Sequence, residues 1–191
     1  MAKQPKSLDN TLADRMQKEL EEFSCQKSMD RKLPCNSLEM LSYIAKRCRE
    51  LSISGINATK LEKLMYCCYG VSLTVCSYRL CGESPEAWQY GPVFPKTLRY
   101  MKNFGVNALA AISCNEVTNA LPGDVVSAID RTLEYFGRYS SDKLSAWSCL
   151  PGSPWSTASD NGKHLYEQID DAFIRSYFEH HVLDMTARTE A

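Results

Sequence analysis

Apolar residues recur at helical spacing along most of this chain, and the breaks between runs divide it into segments. Leu38, Leu41, Ile44, Ala45, Cys48 and Leu51 mark one helix face behind Asn36, which with Glu39 three residues later resembles a capping box. Gly55-Ile56-Asn57 interrupts the pattern, and Asn57 can cap the next helix. That helix, predicted over Ala58 to Ser77, is the most apolar in the chain. Leu61, Leu64, Met65, Cys68, Val71 and Val75 form a stripe that Tyr69, Leu73 and Cys76 widen until little polar face remains. Such a helix belongs at the centre of a core. Gly70 in its middle costs roughly 1 kcal/mol against alanine, which implies a neighbouring element packed closely against it.

Beyond it the period changes. Gly82, Pro85, Gly91 and Pro92 punctuate a stretch that predicts short extended pieces rather than helix around Glu86-Ala87-Trp88-Gln89-Tyr90. Pro95 can open a helix whose face is Leu98, Met101 and Phe104, with Gly105 as its stop. Asn107 to Ala120 is ambiguous, a short strand around Ala110 to Cys114 being one reading. A further helix follows Pro122-Gly123-Asp124, with Val126, Ile129, Leu133 and Phe136 in register up to Gly137. Leu144 to Cys149 reads as one or two helical turns, Pro151-Gly152-Ser153-Pro154 as a turn, and Trp155 to Asn161 as a short helix. Asp170-Asp171 suits the positive end of a last helix with face Phe173, Ile174, Tyr177, Phe178 and Val182. Upstream, Leu12, Met16, Leu20 and Phe23 predict an amphipathic helix from Leu8 to Phe23, with a hinge near Asp30 to Cys35.

The expected fold is therefore mainly α, a compact single-domain helical bundle. It carries a small extended segment around 78–92 and, on the one reading above, a second at 108–114. Residues 1–36 are expected to form a partly flexible helical appendage, 37–183 the domain, and 184–191 a polar tail.

Composition changes this picture little. The net charge of −1 argues against a chain built mainly to hold a polyanion, but the charge is uneven. Residues 37–105 carry nine basic and five acidic side chains, and residues 106–191 six and twelve. Such halves either steer a charged partner or attract each other. No stretch approaches the ~20 apolar residues of a membrane span, and the polar start from Met1 to Lys6 reads as no export signal. Nine cysteines without export imply reduced thiols in a cytosol, mostly acting as small buried hydrophobes.

Candidate chemistry is sparse. None of the cysteines makes a C-x-x-C pair, and the adjacent Cys67 and Cys68 point about 100° apart on a helix, so no metal site is expected. Ser24-Cys25-Gln26-Lys27 and Ser159-Asp160-Asn161 match two elements of penicillin-recognising enzymes, but the third is missing where Lys96-Thr97 runs on into Leu98. The histidines, His164, His180 and His181, fall late in the chain, the last two within or at the end of an amphipathic helix, an unpromising place for a catalytic base. Lys46-Arg47 with Arg49, and Arg99 with Lys102, are the basic clusters, without a nucleic-acid-binding motif around them. No enzymatic activity and no cofactor are expected.

One stretch is more specific. Lys60, Leu61, Lys63, Leu64 and Tyr66 stand in Lys60-Leu61-Glu62-Lys63-Leu64-Met65-Tyr66, followed by Glu86-Ala87-Trp88-Gln89-Tyr90-Gly91-Pro92-Val93-Phe94-Pro95. The pair resembles the signature of the Panacea domain, found in SocA-like antitoxins and phage-associated GepA-like proteins. Leu144-Ser145-Ala146-Trp147 with Pro154-Trp155 is similar to that family's second tryptophan region, and the resemblance extends over about residues 38–182. It implies an all-helical domain with a small extended segment, working by protein–protein recognition; the cytoplasmic location expected for it comes from the reduced thiols above. The implied partner is a cognate protein toxin encoded by a neighbouring gene. An adaptor for a protease, or a DNA-associated regulator of a mobile element or prophage, is the alternative. The motif residues themselves read as a packing device whose rim is open to a partner. Trp88 and Tyr90 alternate across an extended piece so that one can face in and the other out. Lys60 and Lys63, one turn apart, fall on a polar edge, solvated or paired with Glu62 or Glu86.

Overall fold

The computed structural model describes residues 36–183. The predicted helix from Leu8 to Phe23, the hinge before Cys35, the Ser24–Lys27 motif and the tail after Leu183 lie outside them.

Helix α1 (Ser37–Glu50) starts where Asn36 accepts the backbone N–H groups of Leu38 and Glu39, and Arg47 and Arg49 sit at its negative end. Asn57 likewise caps α2 (Ala58–Val75) by accepting from Lys60 N at 2.8 Å. Every residue of α2 from Lys60 to Leu73 is buried. It packs against the remaining long elements in turn: α5 (Gly123–Phe136), α6 (Ser141–Ser148), α8 (Asp171–Phe178), α1, and α3 (Pro95–Phe104). The close neighbour that Gly70 implied is Phe178 of α8. A Cβ at position 70 would lie 2.5 Å from its ring, so only glycine lets the two helices meet there.

Between α2 and α3 the chain makes a hairpin of β1 (Glu86–Trp88) and β2 (Gly91–Val93), antiparallel, with Glu86 opposite Val93 and Trp88 opposite Gly91. The extended segment is thus shorter than 78–92. Residues 166–169 complete it from the far side of β1. Tyr166 N donates to Ala87 O, Ala87 N to Glu167 O, and Ile169 N to Pro85 O, at 2.8–2.9 Å, with Glu86 bridging Gln168. The remaining short helices are α4 (Asn115–Ala120) and α7 (Pro154–Ala158).

Three expectations are corrected. The strand read around Ala110 to Cys114 is not formed. Val106–Ala111 winds as a 3₁₀ helix whose i, i+3 pair Val106 and Leu109 face α1, where Ser42 Oγ donates to Leu109 O and Ile112 O. Spacing of three suits 3₁₀ turns, and a short apolar run does not itself separate strand from helix. Val75 (58% exposed), Phe104 (66%) and Phe173 (54%) lie outside the core although all three were read into helix faces. Val75 and Phe104 are the last residues of α2 and α3, and Phe173 stands about 100° round α8 from the buried Ile174. In α5 the buried stripe runs through Val125, Ile129 and Leu133, with Val126 only half-buried. The last helix continues past Phe178 as a π turn, Glu179–Leu183, burying Val182.

Candidate functional site

The two halves of the motif meet, and the meeting is made by charged groups inside the protein. Lys60 and Lys63 are not on a solvated edge and pair with no carboxylate among the described residues. They are 4% and 2% exposed, and Glu62 between them is 1% exposed. Lys63 Nζ donates to Pro92 O at 2.8 Å, while the Glu62 carboxylate accepts Phe94 N–H at 2.9 Å and the Thr97 hydroxyl. Two consecutive side chains of α2 therefore hold the carbonyl and the amide on either side of Val93. Lys60 Nζ donates to Ser54 O and Gly137 O, both at 2.7 Å, tying the start of α2 to the end of α5.

The chemistry of α3 explains the acid. Its N-cap, Phe94, has no capping side chain, and Pro95 has no N–H. Glu62 supplies from another element the negative group that a helix start favours. Glu83 adds a second, accepting Lys96 N at 3.2 Å. Burial pushes the Glu62 carboxyl up to about 7, against the opposing pull of Thr97, the Phe94 amide and Lys63. Burial likewise pulls Lys63 down to about 8, against the attraction of Glu62, and lowers Lys60.

The other motif residues pack around this clamp. Gly91 has φ +104°, and a Cβ there would overlap Ser148 Oγ and lie 2.9 Å from Lys63 Nζ. Glycine is required both by conformation and by the approach of the lysine. Leu61, Leu64 and Ala87 are fully buried and Val93 nearly so. Tyr66 sets its ring edge-on to Phe178 at 5.6 Å, its hydroxyl buried with no hydrogen-bond partner among the described residues. Trp155 Nε1 donates to Trp88 O at 2.7 Å, so the second tryptophan region fastens the hairpin. Trp147 lies against Phe136 and Phe178, at 5.2 and 6.0 Å between ring centroids.

The rim is different. Tyr90 is 69% exposed at the hairpin turn, and Trp88 is half-buried, its indole N–H turned back onto Glu86 Oε2 at 3.0 Å. Of the expected alternation, Tyr90 faces out, and Ala87 rather than Trp88 is the fully buried member of β1. Glu62, Phe94 and Thr97 were missed as motif partners. The available signal was the opening Phe94-Pro95, a helix start with no capping side chain of its own.

Elsewhere the reactive groups are dispersed. His164, His180 and His181 are exposed; His180 Nδ1 meets Ser176 O at 2.7 Å, and His181 stacks on Tyr177 at 4.6 Å. Burial raises the thiols of Cys67 and Cys68 far above the ordinary cysteine range. Ser159 is buried with its hydroxyl on Trp155 O, away from the exposed turn at Asp160-Asn161. A cleft of about 490 Å³ beside α8 contains Arg79, Asp171, Arg175 and Glu179. There Arg79 Nε donates to Tyr69 OH and forms an ion pair with Asp171 Oδ2 at 3.0 Å, and Tyr69 OH donates to Asp171 Oδ1, so Arg79, Tyr69 and Asp171 satisfy one another. Among the described residues no cluster of three or more His, Cys, Asp or Glu could hold a metal ion, and no helix is long and apolar enough to cross a membrane.

No curated protein and no solved structure matches this chain. A family model does: that of the antitoxin SocA-like, Panacea domain matches residues 61–156, which begin inside the lysine–glutamate clamp and end just past Trp155. That span holds the hairpin, both tryptophan regions and most of α2, and the chain belongs to the family of SocA-like antitoxin, Panacea domains.

Proposed function

We propose that this chain neutralises a cognate protein toxin, the product of a neighbouring gene, by binding it directly. Its family supports an antitoxin-like role. The observation that carries the direct-binding reading is the division within the motif. Lys60, Glu62 and Lys63 point inward onto backbone atoms, where they hold the fold, while Tyr90 and part of Trp88 are left at the surface. Tyrosine and tryptophan are the side chains that most often anchor protein interfaces. Catalysis would instead need a titratable group free to meet a substrate. The test is co-expression of the full chain with the product of the adjacent gene. Growth rescue together with co-purification is expected. Neither rescue nor a complex would remove the proposal.

A further inference from the structure

Tyr166 is held in a conformation that its burial does not repay. Its φ is +71°, the left-handed region that bulky side chains avoid, yet the residue is 62% exposed. Three backbone hydrogen bonds flanking it, to Ala87 and Pro85, keep this stretch beside β1. The result is an aromatic ring set edge-on against Trp88, with centroids 5.1 Å apart at 84°. Strain of this kind persists where the surroundings over-determine it, and such places cluster at binding sites.

Trp88 also meets a cation. Lys102 Nζ stands 5.6 Å from its ring centroid. On α3, Lys102, Arg99 and Lys96 fall within one arc of about 120° and all three are exposed. No carboxylate among the described residues forms an ion pair with any of them: Glu83 is engaged by Lys96 N and the Ser37 hydroxyl, and Glu86 by the Trp88 indole. An aromatic pair, with Tyr90 nearby in sequence at the hairpin turn, thus borders a row of exposed cations that make no ion pair among the described residues.

We propose that this face, Trp88–Tyr166 with Lys102, Arg99 and Lys96, is the docking surface for a short acidic segment of the partner protein carrying an aromatic side chain. The inference rests on the direct-binding reading above and gives it a location and a chemistry. Carboxylates complement the α3 cations, and an aromatic residue extends the Trp88–Tyr166 pair. A nucleic acid fits less well. The chain is net −1, and residues 106–191 carry twelve acidic against six basic side chains, so a long polyanion meets repulsion that a short segment does not.

The experiment titrates the full chain with a fluorescein-labelled synthetic octapeptide, one tryptophan among seven glutamates, followed by anisotropy. Controls are the same peptide with glycine for tryptophan and a twenty-residue oligothymidylate. Saturable, salt-sensitive binding is expected, weakened about tenfold or more by Arg99→Gln with Lys102→Gln and by Tyr166→Gly. Tyr166→Gly relieves the backbone strain and is expected to keep or raise the melting temperature, so its loss of binding is not a loss of fold. The same variants are expected to lose toxin rescue in co-expression. Absence of saturable peptide binding, binding indifferent to both sets of substitutions, tighter binding of the oligothymidylate, or wild-type rescue by the variants would each overturn the proposal. If the unmodified chain itself gives no rescue, the toxin reading fails, and the peptide titration still decides whether the surface takes acidic segments.

Discussion

Replacing Glu62 with glutamine separates the two things this side chain does. As an acid it sits 1% exposed with its carboxyl raised from 4.5 to about 7, chiefly by burial. As a hydrogen-bond acceptor it holds Phe94 N–H and the Thr97 hydroxyl. A glutamine can keep the second role. Its carbonyl takes the Phe94 amide, its amino group faces Thr97 Oγ1, and the threonine proton turns to Phe94 O, already 2.7 Å away. Only the charge is lost. In the folded protein the carboxyl still holds its proton at a pH where the unfolded chain has released it. Its contribution to stability is therefore fully present below 4.5 and is lost as pH rises through 7. A shift from 4.5 to about 7 corresponds to about 3 kcal/mol. Glu62→Gln is accordingly expected to match the wild type near pH 4.5 and to exceed it by about 3 kcal/mol at pH 7.5. Urea unfolding of both proteins in the same buffers from pH 4.5 to 7.5 reads the difference directly, and the other titrating groups cancel to first order. A difference that stays flat, or that favours the wild type at neutral pH, would refute the assignment of a carboxylate destabilised by burial.

Three further outcomes follow from the same packing. Gly91→Ala is expected to cost about 2 kcal/mol or more in urea unfolding, because it adds left-handed strain to a clash with Ser148 Oγ and Lys63 Nζ; a loss under 0.5 kcal/mol would contradict the clamp geometry. Tyr66→Phe removes a buried hydroxyl without a protein partner and is expected to stabilise by about 1 kcal/mol despite altering a motif residue; destabilisation of that size would mean the hydroxyl is bonded. Among the described thiols, Cys48, Cys67, Cys68 and Cys81 are buried, with burial pushing Cys48 up to about 11 and Cys81 up to about 12. Native N-ethylmaleimide labelling at pH 8, mapped by mass spectrometry, is expected to spare these four and reach the half-buried Cys76, Cys114 and Cys149 first. Rapid modification of Cys67 or Cys68 would contradict their burial.

What periodicity carries is legible in this chain. The stripe from Leu61 onward placed the central helix, Gly70 announced the close approach of another element, and Asn57, Pro95 and Gly105 marked helix ends that the structure retains. Period says nothing of partners in other elements. Lys60 and Lys63 looked like a polar edge because their acceptors are backbone carbonyls, Gly137 O lying 77 residues from Lys60 and Pro92 O 29 residues from Lys63. Glu62 was passed over for the same reason. The stretch of residues 166–169 was invisible because its pairing is with β1, far upstream, and its key residue adopts a backbone conformation that nothing about tyrosine favours. The resemblance marked which residues belong together, but the structure supplies the reason: helix α2 lends α3 the cap it lacks.

The central claim is that the motif's charged residues bind the fold from within while its aromatic rim meets the partner. Hydrogen–deuterium exchange of the full chain, with and without the purified product of the neighbouring gene, tests it most directly. New protection is expected in peptides covering residues 88–104 and 164–168, with the amides of α2 protected equally in both states. Protection confined to α5 and α8, or none on a complex that demonstrably forms, would contradict it.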